Sequence, residues 1–237
     1  MRFLGPLVDD IELVLFESDE ISNLPDGETI ETLLRLKKEH NISYTAHLPL
    51  DTQLGSQDEN TRRRSVEKCL RVMQLASPLA PFSYIVHFHG DARGRVPTEN
   101  PQGWLDALDR STTELLACGV APEMLCVETL DYPFELVEPL VTRHGISICI
   151  DAGHIAFFGY PLKEYLERYL SRSRVVHLHG HRDGNDHKDI GALPPGFLEM
   201  LVRCPGMSDG KERVLTLEVF GIGDFERSME IIGRMRT

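Results

Sequence analysis

Histidines and carboxylates recur in this sequence at the ends of short apolar runs. The strings are TAHLPLD with His47, IVHFHGD with His87 and His89, and LCVETL with Glu128. They continue with ICIDAGH, carrying Asp151 and His154, then VVHLHGH with His177, His179 and His181, and TLEVF with Glu218. The first run adds Glu17 more weakly. Singly, a histidine at a strand end is an ordinary satisfied polar residue, and a carboxylate there can cap the next helix. As a set, several bare carboxylates and imidazoles would be costly to bury, and a divalent metal cluster removes that cost. Imidazole and carboxylate donors without thiolate suit Zn²⁺, Mn²⁺ or Fe²⁺. The expected cofactors are therefore one to three such ions. A carboxylate such as Glu128 can bridge two ions, and two ions can activate water and stabilise the leaving oxygen of a phosphoester. One or two ions could instead polarise a hydroxy-ketone during sugar isomerisation.

Alternation along a strand puts His87 and His89 on one face. His89, nearer the strand end, is the better expected ligand, with His87 orienting a ligand from behind. The same ambiguity holds for His177 and His179. Asp151 ends its strand, and His154 is expected in the loop that follows. The segment Gly180–Gly191, GHRDGNDHKDIG, reads as a polar loop in which His187 is the best placed ligand and Asp183 and Asp186 are alternatives. Arg93 and Arg95, after His89, could hold an anion. Arg62, Arg63 and Arg64 read as a solvated helix start. Trp104 could stack on a planar ligand group or pack in the core.

The elements that must position these residues alternate. Strands are expected at Ile11–Glu17, Ile42–Leu48, Tyr84–His89, Met124–Thr129, Ile146–Asp151, Arg174–His179 and Val214–Phe220. Helical periodicity fills Glu28–Glu39, Thr61–Leu75, Trp104–Cys118, Phe134–Arg143, Leu162–Leu170, Gly196–Val202 and Asp224–Met235. Short β-branched strands alternating with such helices are the signature of parallel βα units. The seven units predict a (β/α)₈-type TIM barrel lacking its first strand, which would lie upstream of Met1. A doubly wound open sheet is the alternative, and no GxGxxG follows the first strand to support a nucleotide-binding version. Residues 1–237 are expected to form a single domain.

The formal charge of −12, from 37 acidic and 25 basic residues, opposes binding to a phosphate backbone. No run of about 20 apolar residues occurs, and no secretory pattern opens the chain, so a cytoplasmic, membrane-free enzyme acting on a small molecule is expected, with homo-oligomerisation open. The five cysteines, none in a CxxC pair, read as a reduced and largely buried set.

This pattern resembles the xylose-isomerase-like barrel superfamily that includes the endonuclease IV enzymes. The resemblance implies metal ligands at His47, His89, Glu128 (bridging), Asp151, His154, His177 and Glu218. The superfamily's D-x-H-x-x-(I/L)-G loop matches at His187, Ile190 and Gly191, with Asn185 standing where it has aspartate. Within it, LVDDIELVLFESDEISNLPD, YTAHLPLD and SVEKCLRVMQLASPLAP are similar to the cobamide-remodelling phosphodiesterases of the CbiR family, whose members begin with a strand resembling FRIGTTSY. That finer resemblance implies hydrolysis at the phosphoribosyl linkage of a corrinoid's nucleotide loop, yielding a cobinamide phosphate and an α-ribazole-type nucleoside. Glu128, Glu218 and His187 would then be catalytic. The readings kept beside it are a sugar or sugar-phosphate isomerase or epimerase, an abasic-site DNA endonuclease, and a corrinoid- or metal-binding protein without turnover.

Overall fold

The short β-branched runs form strands, and helices with an apolar stripe follow most of them. The computed structural model describes residues 3–17 and 22–235. Residues 18–21, inside the first string of the finer resemblance, lie outside the described residues. Two compact units are described in turn, residues 1–128 with 134–147, and residues 129–133 with 148–237.

The first unit runs β1 (Asp10–Val14), α1 (Gly27–His40), β2 (Ser43–His47), α2 (Glu59–Ala76), β3 (Tyr84–Val86), α3 (Pro101–Leu116), β4 (Leu125–Glu128) and α4 (Glu138–His144). Its strands pair in parallel in chain order. The register sets Val14 opposite His47, His47 opposite Ile85 and Val86 opposite Val127, so His47 lies in the last pair of its strand and Glu128 just past its own. Side-chain caps start the helices: Asp26, Asp58 and Asn100 accept from the backbone N–H of Thr29, Thr61 and Gly103. Helix α2 buries Val66, Cys69, Val72, Met73 and Ala76 at helical spacing.

From Ile148 onward the second unit contains β5 (Ser147–Asp151), α5 (Ala152–Phe158), α6 (Leu162–Tyr169), β6 (Ser173–Leu178), β7 (Gly180–Arg182), β8 (Asn185–Lys188), α7 (Phe197–Arg203), β9 (Val214–Leu217) and α8 (Ile222–Met235). Strands β5, β6 and β9 are parallel, with Asp151 opposite His177 and His177 opposite Thr216. The backbone N–H of Glu218 donates to the Leu178 carbonyl at 3.0 Å, which fixes Glu218 just past β9.

Several local expectations are corrected. His154 is in the first turn of α5, because the Asp151 side chain accepts the His154 N–H at 2.7 Å and starts the helix at once. The polar segment after β6 is an antiparallel hairpin of β7 and β8. Asp183 and Gly184 form its two-residue turn with φ of 53° and 74°, the positive-φ pair that closes tight hairpins. Phe134–Arg143 is broken, with a 3₁₀ turn at Phe134–Leu136 and α4 beginning at Glu138; Pro139 lacks an N–H for a continuous helix. Strand β1 stops at Val14, and Glu17 instead pairs with Arg71 and bridges to Ser22. Arg62 is buried, paired with Glu59 and Glu114, rather than solvated. Cys69, Cys126 and Cys149 are buried and Cys118 is exposed. Among the described residues no helix is long and apolar enough to cross a membrane.

Trp104 is a core residue, 1% exposed. Its indole edge fits a slot made by two glycines: a Cβ on Gly55 would lie 2.3 Å from Cδ1, and one on Gly90 would lie 2.8 Å from it. The Gly55 N–H donates to the His89 carbonyl at 2.8 Å, so this slot also holds the backbone that carries His89. Gly55→Ala forces the indole out, and because Trp104 is the one tryptophan of the sequence, its emission reports this directly. The expected result is a red-shifted fluorescence maximum and a melting temperature lower by about 5 °C, read in one thermal scan.

Candidate metal centre

In the first unit, two imidazoles converge on one buried carboxylate oxygen. Glu128, at the end of β4, is 1% exposed. Its Oε2 lies 3.3 Å from Nε2 of His47 and 3.0 Å from Nε2 of His87. The other nitrogen of His47, Nδ1, is 2.8 Å from the Leu48 carbonyl oxygen. A carbonyl only accepts, so Nδ1 carries a proton, and in the neutral ring the lone pair of Nε2 faces Glu128. Two lone-pair atoms at that separation need a cation between or beside them, a proton or a metal ion. Ligand atoms of His47, His87 and Glu128 all lie within 4.8 Å of one another, and Glu12 of β1 brings a carboxylate oxygen within the same distance of His47.

His89 sits one step away. It is buried, and its ring meets that of His87 edge-on at 5.2 Å. The residue that joins His47 and Glu128 in the compact group is thus His87, whereas nearness to the strand end favours His89. Strand β3 ends at Val86, so His87 and His89 lie beyond the paired backbone and the pleat no longer dictates their directions. Arg93 and Arg95 are exposed in the loop that follows.

The second unit gathers Asp151, His154, His177, His187 and Glu218, all of which the sequence singles out, and adds His179. Asp151 is fully buried. Its Oδ2 lies 3.0 Å from His154 Nδ1 and 3.8 Å from His177 Nδ1, and its Oδ1 lies 3.2 Å from His179 Nε2. His177 Nδ1 is 3.0 Å from Glu218 Oε2, and His187 Nε2 is 3.6 Å from Glu218 Oε1. Asp186 stands at the rim, 3.0 Å from His187 Nδ1 and 4.0 Å from His154 Nε2. Burial disfavours a charge on His187, but Glu218 and Asp186 outweigh it and raise its pKa above the usual histidine value. Burial pushes the Asp186 carboxyl the other way, and the surrounding imidazoles, His187 first, hold it below the ordinary carboxylate range. Asp183 is exposed in the hairpin turn. The rings of Phe220, His187 and His179 form a stack, with centroids 4.5 Å and 4.2 Å apart.

These donor sets fit divalent cations. Each combines neutral-capable imidazoles with deeply buried carboxylates, the mixture that borderline metals prefer. One member is not evident from strand ends: Glu12 lies in the middle of a strand, and its signal is an acidic side chain interrupting an apolar run. The sequence leaves His177 and His179 open as alternatives, and both join the cluster.

Sequence and structure comparisons agree with this architecture. A family profile described as a xylose isomerase-like TIM barrel matches residues 8–200. No curated protein matches the chain in sequence. Among solved structures, the chain is similar to a D-tagatose 3-epimerase-like protein, at 21% identity over 95% of this chain and 87% of that one, with a TM-score of 0.75. It is also similar to endonuclease IV from Thermus thermophilus, at 17% identity over 93% and 87%, TM-score 0.69. A third is the TTHB071 protein from Thermus thermophilus soaked with ZnCl₂, at 18% identity over 94% and 87%, TM-score 0.67. At these identities the likeness is one of fold.

The geometry around Glu128 separates the histidines by experiment. In a Zn²⁺ titration followed by calorimetry, His47→Ala and His87→Ala are each expected to weaken binding by about 100-fold or more, and His89→Ala by about tenfold. Equal losses at all three would put His89 in the inner set. From its matched profile and the parallel βα units that carry the site, the chain belongs to the xylose isomerase-like TIM barrel family.

Proposed function

We propose that this chain is a metal-dependent phosphodiesterase acting on a small organic substrate, and that the substrate is a cobamide, cleaved at the phosphoribosyl linkage of its nucleotide loop. The observation that carries the metal-dependent part is the convergence of His47 Nε2 and His87 Nε2 on the buried Glu128 carboxylate, at 3.3 and 3.0 Å. The cobamide part rests on the sequence resemblance to the CbiR family.

The residues that would hold divalent ions are His47, His87 or His89, and Glu128 in the first unit. In the second they are Asp151, His154, His177 and Glu218, with His187 kept for proton transfer. Bound there, Zn²⁺, Mn²⁺ or Fe²⁺ would lower the pKa of water and stabilise negative charge on phosphate and leaving-group oxygens. In the overall reaction a water oxygen bonds to phosphorus, the bond from phosphorus to the ribose oxygen breaks, and that oxygen takes a proton. His187 is the group assigned to hand over this proton from Nε2, with Glu218 and Asp186 orienting its ring. Glu128 and Glu218 would each hold an ion in its own unit, and such an ion would offset negative charge on a phosphate. Arg93 and Arg95 are assigned to the phosphate oxygens.

A sugar epimerase would use one ion and a hydroxy-ketose, and the imidazoles of His47, His87 and His154 exceed that need. An abasic-site nuclease meets the opposing charge of −12. A binding protein without turnover would keep its ligands yet lose no hydrolysis when Glu128 or Glu218 is replaced.

The test is incubation of the full chain with a cobamide and each of Mn²⁺, Fe²⁺ and Zn²⁺, with products identified by mass. Cobinamide phosphate and an α-ribazole-type nucleoside are expected, with Glu128→Gln and Glu218→Gln slower by about 1,000-fold at unchanged circular dichroism. Intact cobamide with every metal, alongside proton exchange from a ketose, would transfer the chain to the epimerase reading.

A further inference from the structure

His179 is fully buried, follows β6 directly, and is held on both ring nitrogens. At Nδ1 it accepts the backbone N–H of His187 at 3.1 Å. At Nε2 it faces both oxygens of Asp151, at 3.2 and 3.3 Å. The Gly180 carbonyl also lies 3.3 Å from Nδ1, but it belongs to the adjoining residue and is the longer of the two contacts. A backbone N–H can only donate, so Nδ1 must be the unprotonated nitrogen, and the neutral ring carries its proton on Nε2. That proton points at a carboxylate. His47 has the opposite arrangement, with its proton committed to a carbonyl at Nδ1 and its lone pair turned into the cluster.

We infer that His179 is a positioning residue: its Nε2–H holds the Asp151 carboxylate, and its Nδ1 ties that carboxylate to the β7–β8 hairpin. The inference rests on the metal-site reading above, in which Asp151 is a ligand. His154, His179 and His187 do bring three nitrogens within 4.8 Å of one another. For His179 to join them as a ligand, it would have to give up the bond to Asp151 or the bond from His187.

Two further features belong to the same device. Gly153, in the first turn of α5, leaves the space the ring fills; a Cβ there would lie 2.4 Å from Cε1 and from Nε2 of His179. His187 holds a left-handed backbone, φ 55°, uncommon for a residue other than glycine. Its ring stacks on His179 with the planes 14° apart, so the N–H bond and the stack lock one hairpin conformation against the ring. Residues that orient a metal-ligating group in this way are the ordinary complement of a metal site. Here one imidazole joins a carboxylate ligand to a hairpin.

The test uses Co²⁺ and the full chain, with ion number and affinity from calorimetry and ligand geometry from the visible spectrum. The variants are His179→Gln, His179→Leu and Gly153→Ala. Glutamine can place an amide N–H where Nε2–H stood; leucine cannot. All three variants are expected to bind as many ions as wild type. His179→Gln should stay within about threefold of wild-type affinity, while His179→Leu and Gly153→Ala should fall by about 10–100-fold. Loss of one ion from both His179 variants would make the residue a ligand and overturn the inference. Wild-type affinity in a folded His179→Leu chain would overturn it as well. If His179→Leu does not fold, His179→Gln decides: weakened Co²⁺ binding in that folded variant rejects the donor role. A wild-type chain that binds no Co²⁺ defeats the metal-site reading itself, and the positioning role with it.

Discussion

A buried carboxylate met by two imidazole nitrogens is the constraint around which this chain is built. Glu128 is removed from water, and the proton of His47 is committed to a backbone carbonyl on the far side of its ring. Without a cation, burial of that pair is opposed both by desolvation and by lone-pair repulsion. With a cation, the same arrangement becomes a coordination site. Asp151 presents the same problem in the second unit, where a fully buried carboxylate is ringed by His154, His177 and His179. The chain answers it with hydrogen-bond donors, from the His154 backbone and from His179, that leave the carboxylate with remaining lone pairs for a cation.

The secondary structure serves these two carboxylates. Parallel pairing of β1 through β4, and of β5, β6 and β9, brings strand ends together within each unit, so residues far apart in sequence become neighbours. Helix α5 starts on Asp151 itself, which turns His154 back toward the carboxylate that caps it. The hairpin of β7 and β8 returns His187 to the ring of His179. The glycines matter where side chains must approach closely: Gly55 and Gly90 admit Trp104, and Gly153 admits His179.

Much of this is legible in the sequence because parallel βα units write their function at strand ends. His47, Glu128, Asp151, His177 and Glu218 each close an apolar run, and the period of the runs gives the fold class. What escapes is conformation decided by local hydrogen bonds. Whether His154 opens a loop or a helix depends on the Asp151 cap. Asp183-Gly184 is a hairpin turn signal lying inside a segment whose polar composition resembles a loop. The order of His87 and His89 depends on where β3 stops pairing, and a three-residue strand leaves that undetermined by alternation. Arg62 illustrates the opposite error, since a charged helix start reads as solvated until Glu114, far along the chain, is found to pair with it.

The most direct measurement is anomalous scattering at the zinc edge from crystals of the chain soaked in Zn²⁺. Peaks are expected about 2.0–2.2 Å from His47 Nε2 and a Glu128 oxygen, and at the same range from His177 and Asp151. Crystals that bind Zn²⁺ only at surface residues, with His47 and Glu128 unchanged and in direct contact, would contradict a metal centre built on these carboxylates.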